Sequence, residues 1–293
     1  ATTADDYLAM AKASQTIKGR EQTVIRLVDQ SVTLRATGEG FFLRAYAKNE
    51  LKDTQGAIAD LNKALEIDPQ RISAYYNRGI LKSQLEDYLG SIADFNQALE
   101  IDPKIALAYN NRGYAKGKGL RDLHGAIADF NKALEIDSGL AHAYYNRGRS
   151  RVILKDYTGA IEDFNRALEV DPQYARAYIN RGAARDILGD YNGAIDDQTK
   201  ALSIDPKYAK AYYNRGRAKS GIGDYQGAIK DFNKAIAIDS RFAFAYNNRG
   251  YLKLKSGDTK GGCNDYKKAA SLGLEISAKW LTSSEGAWCR NMR

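Results

Sequence analysis

AYYNRGRSRVILKDYTGAIEDFNRALEVDP, residues 143–172, is one spelling of a sentence that the chain repeats. Its Asn-Arg-Gly triplet recurs at 77–79, 111–113, 146–148, 180–182, 214–216 and 248–250, in steps of 34, 35, 34, 34 and 34 residues, so the chain is a tandem array. Each copy reads as two helices. The first places an aromatic four residues before its glycine, as in Tyr75 and Gly79, on one helical face. The second carries an apolar stripe such as Ile92, Phe95, Ala98 and Leu99. Between them an Asp recurs at 53, 87, 122, 156, 190, 224 and 258, where a carboxylate can cap the second helix. The four prolines, Pro69, Pro103, Pro172 and Pro206, all sit in an Asp-Pro that closes a copy, because a ring without an N–H ends a helix.

A 34-residue helix–turn–helix with an aromatic, then Gly, Ala, Phe, Ala and Pro resembles the tetratricopeptide repeat. Seven copies are expected at 38–71, 72–105, 106–140, 141–174, 175–208, 209–242 and 243–276. The late small position is Ala in all seven, and the early one is Gly in six and Ala45 in the first, so Gly79 and Ala98 are read as packing residues. The resemblance implies an all-α, right-handed superhelical solenoid whose first helices line an inner, concave wall. Residues 1–37 keep the period in worn form, with Tyr7, Ala11, Val24, Leu27 and Val28 as its marks, and are expected to form a degenerate N-terminal repeat acting as a cap. Residues 277–293, with Trp280, Leu281 and Trp288, are expected to cap the other end with an amphipathic helix. GKGLRDLHG in the third copy holds one extra residue, read as a looser turn between its helices. Gln198 stands where other copies have Phe, a polar side chain on a core stripe.

The formal net charge of +8 is unevenly spread: residues 209–293 hold 16 Lys and Arg against 7 Asp and Glu. That basic end suits an acidic protein, an anionic membrane surface met peripherally, or nucleic acid. No apolar run reaches 18 residues, so nothing is expected to span a membrane; the leading Ala1 indicates processing or cutting, with any signal or anchor removed, and the compartment stays open. Chemistry is not legible. His124 and His142 have no companions at ligand or triad spacing, and GYAKGKG at 113–119 lacks the spacing and the Ser or Thr of a phosphate loop. No enzyme, cofactor or metal is expected.

Every copy has an Arg before its small residue (Arg44, Arg78, Arg112, Arg147, Arg181, Arg215, Arg249) and an Asp in its second helix (Asp60, Asp94, Asp129, Asp163, Asp197, Asp231, Asp265), which predicts a ladder of partly buried ion pairs. The asparagines Asn77, Asn111, Asn146, Asn180, Asn214 and Asn248 fall one per copy. The resemblance implies that they face the groove, as in the asparagine ladder of the O-linked GlcNAc transferase superhelix, where amides can bind a peptide backbone; the other reading is that they tie neighbouring helices. The same wall would carry Phe42, Tyr76, Tyr145, Tyr213, Tyr114 and Tyr251 with Arg149, Arg176, Lys210 and Arg217. The carboxylate clamp of chaperone-tail readers is not spelled out.

The expected function is therefore a non-enzymatic scaffold that holds an extended, net-acidic segment of a partner protein. The wording NNRG with ADFNKALEIDP resembles tetratricopeptide proteins of cyanobacteria and plastids, several of which assist assembly. The alternative is a single-stranded RNA binder, disfavoured by the constant Asn and the near-neutral first two-thirds. Cys263 and Cys289 have nothing else to pair with, so either they join and clamp the tail to the last copy or both stay reduced.

Overall fold

The computed structural model describes residues 2–292; Ala1 and Arg293, the outer ends of the two expected caps, lie outside the described residues. Among those described, all regular structure is helical. Helices come in pairs: α1 (Ala4–Gln15) with α2 (Glu21–Leu34), α3 (Gly38–Glu50) with α4 (Thr54–Ile67), α5 (Ile72–Gln84) with α6 (Tyr88–Ile101), and α7 (Ala106–Ala115) with α8 (Leu123–Ile136). There follow α9 (Ala141–Ile153) with α10 (Tyr157–Val170), α11 (Ala175–Ile187) with α12 (Tyr191–Ile204), α13 (Ala209–Gly221) with α14 (Tyr225–Ile238), and α15 (Ala243–Lys255) with α16 (Thr259–Ser271). Two short helices, α17 (Glu275–Thr282) and α18 (Ala287–Asn291), close the chain. The chain divides into two compact units, one ending at Ala143 and the next beginning at Tyr144.

The same local devices recur along the array. The recurring Asp caps the second helix: Asp87 Oδ1, for example, accepts a bond from Gly90 N at 2.9 Å. The cap explains why the motif has Gly three residues on, since a Cβ built at Gly90 would lie 2.2 Å from the other carboxylate oxygen and displace it. The six second helices from α4 to α14 end at the next Asp, which accepts from the N–H two residues later, as Asp171 does from Gln173 at 2.9 Å. Asp137 and Asp239 do this without a following proline, so the Asx turn ends the helix and the proline reinforces it. The extra residue of the third copy is not in a loose turn: it is absorbed as a π-helical turn at Lys116–Leu120, and Gly119 there lets the backbone run against the Tyr88 ring.

In the first unit, α1 and α2 pack Ala11, Val24 and Val28 against Leu43 and Ala47 of α3, which covers the first face of the array. Leu61, Leu65 and Ala74 fill the next layer, and Phe95, Leu99 and Ala108 the one after. In the second unit Phe164 and Phe232 take the central place. The small residue of each first helix makes room for these rings: a Cβ at Gly216 would lie 2.7 Å from Phe232 Cε1. The first copy tolerates Ala45 because its ring position is Leu61. At the far end, Trp280 stacks on Tyr266 with ring centroids 4.2 Å apart, Leu281 is buried, and Cys263 is bonded to Cys289 with Cα atoms 5.3 Å apart. Trp288, expected in the same cap, is instead 46% exposed, because α18 turns its Cys289 face inward.

The Arg–Asp ladder is present in all seven copies and is larger than two residues. Arg78 meets Asp94 through Nε at 3.0 Å and Nη2 at 2.6 Å, and Lys82 bonds the same carboxylate at 2.8 Å. The second cation lies four residues after the Arg throughout: Lys48, Lys82, Lys116, Arg151, Arg185, Lys219 and Lys253. The Arg also reaches back one copy, as Arg181 Nη1 does to Asn165 Oδ1 at 2.7 Å, and lies over the aromatic three residues before it, as over Tyr178 at 5.4 Å. Burial and pairing oppose one another at Asp60 and Asp163. Burial alone would raise Asp60, but Arg44 and Lys48 hold it below the ordinary range, whereas at Asp163 burial wins and the carboxyl is pushed up.

Candidate peptide-binding surface

The functional candidates lie on the first helices, one residue or one turn from the ladder. Tyr145 packs its ring on Phe164 at 6.0 Å and on Tyr174 at 4.8 Å, which fixes its hydroxyl at the surface of α9. Asn180 Nδ2, in the next copy, donates to that hydroxyl at 3.0 Å and to its own Arg176 carbonyl at 3.0 Å. The same tie recurs: Asn248 donates to Tyr213 at 3.3 Å, and in the first unit Asn111 donates to Tyr76 at 3.1 Å. Burial pushes the phenols of Tyr76, Tyr145 and Tyr213 up, so they stay protonated hydroxyls.

These bonds change the meaning of the asparagine row. A row of amides with both N–H groups turned to a ligand was one expectation, yet Asn111, Asn180 and Asn248 each spend one on the tyrosine of the preceding copy. Asn214 is only 6% exposed, so its side chain lies beneath the surface. Its tyrosine place holds Ile179, which has no hydroxyl, and its amide nitrogen is left without a partner. Asn77 and Asn146 are half-buried, and opposite Asn77 the tyrosine place is Phe42, packed in the core under the Arg71 guanidinium at 5.5 Å. The signal for the tie was in the sequence, since Asn and Tyr stand 35 residues apart three times.

Three of the four predicted cations converge. Arg149, Arg176 and Lys210, from α9, α11 and α13, line one cavity of about 280 Å³ with Tyr145, Ile179, Asn180 and Tyr208, and no carboxylate lines it. The Arg149 guanidinium lies 5.8 Å from the Tyr145 ring centre. Tyr208, beside Arg176, holds that guanidinium firmly charged. A second cavity of about 780 Å³ shares Arg176, Tyr208 and Lys210 and adds Lys207, Tyr213, Phe242 and Phe244. Its two carboxylates, Asp205 and Asp239, are engaged in the Asx turns, accepting from Lys207 N and Arg241 N at 2.9 Å each.

Arg217 does not join this group. It is paired at 2.7 Å with Asp186, whose carboxyl burial pushes up, and the pair lies in a separate cavity of about 350 Å³ with Asn248 and Tyr251. Tyr251 and, in the first unit, Tyr114 are exposed, with Lys118 Nζ 5.9 Å from the Tyr114 ring centre. Tyr208, Phe242 and Phe244 escaped sequence reasoning because they stand in the variable turns and first positions of α13 and α15, off the repeating motif.

Models described as "TPR repeat" match residues 45–86, 148–185 and 187–221, and models described as "Tetratricopeptide repeat" match 72–105, 106–139 and 209–242. The chain is a tetratricopeptide-repeat protein. As such it is a helical-repeat scaffold for protein interaction. Among solved structures, the repeat protein is similar to "MamA protein" at 28% identity over 59% of this chain and 93% of that one, with a TM-score of 0.52. A tetratricopeptide repeat protein from Parabacteroides merdae matches 87% of this chain and 99% of its own at 22% identity and a TM-score of 0.64. YrrB, described as "a TPR protein with an unusual peptide-binding site", matches 63% of this chain and 97% of its own at 24% identity and a TM-score of 0.53. The last two likenesses speak to the fold alone. No curated protein matches the sequence significantly. Among the described residues no helix of this repeat protein is long and apolar enough to cross a membrane.

Proposed function

We propose that this repeat protein is a non-catalytic scaffold that holds an extended, net-acidic segment of a partner protein against the first-helix face of residues 144–292. The observation that carries this reading is the convergence of Arg149, Arg176 and Lys210 on one cavity that no carboxylate lines. Unpaired cations around a concave polar site favour an anionic side chain and disfavour a cationic one by several kcal/mol of like-charge cost. The adjoining cavity, walled by Tyr213, Phe242 and Phe244, suits an aromatic or aliphatic neighbour of that side chain. Tyrosine and arginine are the side chains that most often anchor protein interfaces. The backbone of the segment would run past Asn180, whose Oδ1 remains an acceptor, while its N–H keeps the tie to Tyr145. The repeat wording, which resembles that of assembly-assisting tetratricopeptide proteins, supports casting the role as assembly of the partner.

The test is selection of peptides from a random display library on the intact chain, followed by affinity measurement of the winners. Acidic peptides with one or more apolar residues are expected. Arg176→Glu together with Lys210→Glu should weaken them by about tenfold or more, and raising salt from about 50 mM to about 500 mM should weaken them further through the on-rate. Selection of basic or neutral peptides, or binding that the double reversal leaves unchanged, would refute the proposal.

A further inference from the structure

The cavity shared by α9, α11 and α13 combines two features. Its lining includes Ile179, in the column where the flanking copies place Tyr145 and Tyr213, so one aromatic ring and its hydroxyl are absent there. Its rim carries three exposed cations from three successive first helices, with two phenol hydroxyls and no carboxylate among its lining. The other cations beside the cores are neutralised: those of the ladder by its aspartates, and Arg217 by Asp186. These three have no such partner in their cavity, so its lining carries three positive charges and no negative one.

We infer that this cavity is a receptor for a phosphomonoester, a phosphorylated side chain carried by the acidic segment of the partner. The inference rests on the scaffold reading and specifies its anchor. A single carboxylate brings one negative charge and two oxygens, which leaves most of the +3 uncompensated. A phosphorylated side chain brings about −1.5 to −2 charges at neutral pH and three acceptor oxygens, one for each cation. The two guanidiniums can each offer two parallel N–H donors to such a group, and Lys210 adds a point charge. Tyr145 and Tyr208 complete the donor set through their hydroxyls; Tyr145 Oη accepts from Asn180, which frees its own hydrogen for the ligand. A nucleic-acid phosphodiester has one charge per phosphate and fits this field less well.

The experiment compares three fluorescein-labelled peptides with identical flanks, two glutamates and one phenylalanine, and with phosphoserine, glutamate or serine at the centre. A ten-nucleotide oligouridylate is the fourth probe, and fluorescence anisotropy on the intact chain is the readout. The phosphopeptide is expected to bind at least about tenfold more tightly than the glutamate form. That preference should fall toward unity in Arg149→Gln, a residue outside the aromatic cavity, with helical content checked by circular dichroism. It should also decline as pH drops through about 6, where the phosphate loses its second charge. Equal binding of the phosphoserine and glutamate forms overturns the phosphate receptor and leaves the acidic-segment scaffold standing. A phosphate preference that survives Arg149→Gln overturns the assignment to this cavity. Oligouridylate bound as tightly as the phosphopeptide overturns it in favour of a phosphodiester site. If none of the probes binds, the receptor is overturned, and the display selection judges the scaffold separately.

Discussion

Replacing Asp197 by asparagine removes one charge and almost no volume from the ladder, and its cost can be worked from the surroundings. The Asp197 side chain is 3% exposed and accepts from Arg181 Nε at 3.0 Å and from Arg185 Nη1 at 2.9 Å, with Arg181 Nη2 closer still. Two guanidiniums therefore lose their common counter-charge in a half-buried place, and each must either repel the other or break its packing to reach water. Removing one member of a buried pair costs about 3–5 kcal/mol, and here two cations share the loss, so a value near the top of that range is expected. Arg181→Ala should cost less, about 1–3 kcal/mol, because Asp197 keeps Arg185 and only the Arg181 bonds and its packing on Tyr178 disappear. Urea unfolding followed by circular dichroism gives the difference. Because repeat arrays depart from two-state behaviour, hydrogen exchange of the α11 and α12 amides should report it locally. An asparagine variant that costs under about 1 kcal/mol, or no more than Arg181→Ala, would refute this account of the ladder. Exchanging the two residues is a poor test, since an arginine at 197 would face Arg185 and fail for a separate reason.

Other outcomes follow from the places where the copies differ. Gln198 is fully buried with its Oε1 unpartnered, and Gly182 opposite it leaves the room that other copies give to a ring; Gln198→Phe should raise stability by about 1–2 kcal/mol, and a lowered thermal midpoint would contradict this. Gly216→Ala places a Cβ 2.7 Å from Phe232 and should cost about 1–3 kcal/mol by overpacking, whereas Ala45→Gly in the first copy, where Leu61 stands opposite, should cost only the helix propensity of about 1 kcal/mol; equal effects in urea titrations would argue against the ring as the cause. Reducing the Cys263–Cys289 bond opens a loop of 26 residues and should destabilise the last copy and α17–α18 by about 3–4 kcal/mol, seen as selective loss of exchange protection there; two free thiols titrated in the unfolded, unreduced protein would remove the bond altogether.

The period and its apolar stripes determined the helical pairs, because every copy buries the same small residues and the same ring at the same offsets. Gly148 and Ala167 were legible as packing residues on spacing alone, and so were Arg147 and Asp163 as a pair, since periodicity fixes which faces meet within one copy; that the ring of Phe164 fills the space the glycine leaves came from the structure. What one copy does to the next was marked only by a spacing, Asn and Tyr 35 residues apart, whose meaning packing decides. The tie from Asn180 to Tyr145 and the reach of Arg181 to Asn165 depend on how far one hairpin is rotated and shifted on its neighbour, a quantity set by side-chain packing and carried by no single motif. For the same reason sequence alone treated six asparagines and four cations as equivalent members of two rows. Tertiary structure separated them. It buried Asn214 behind Ile179, gave Arg217 to Asp186, and brought Arg149, Arg176 and Lys210 around one cavity where their charge is not cancelled. A repeat specifies its own fold because its contacts are local; a site assembled from three repeats is decided by the few positions at which those repeats differ.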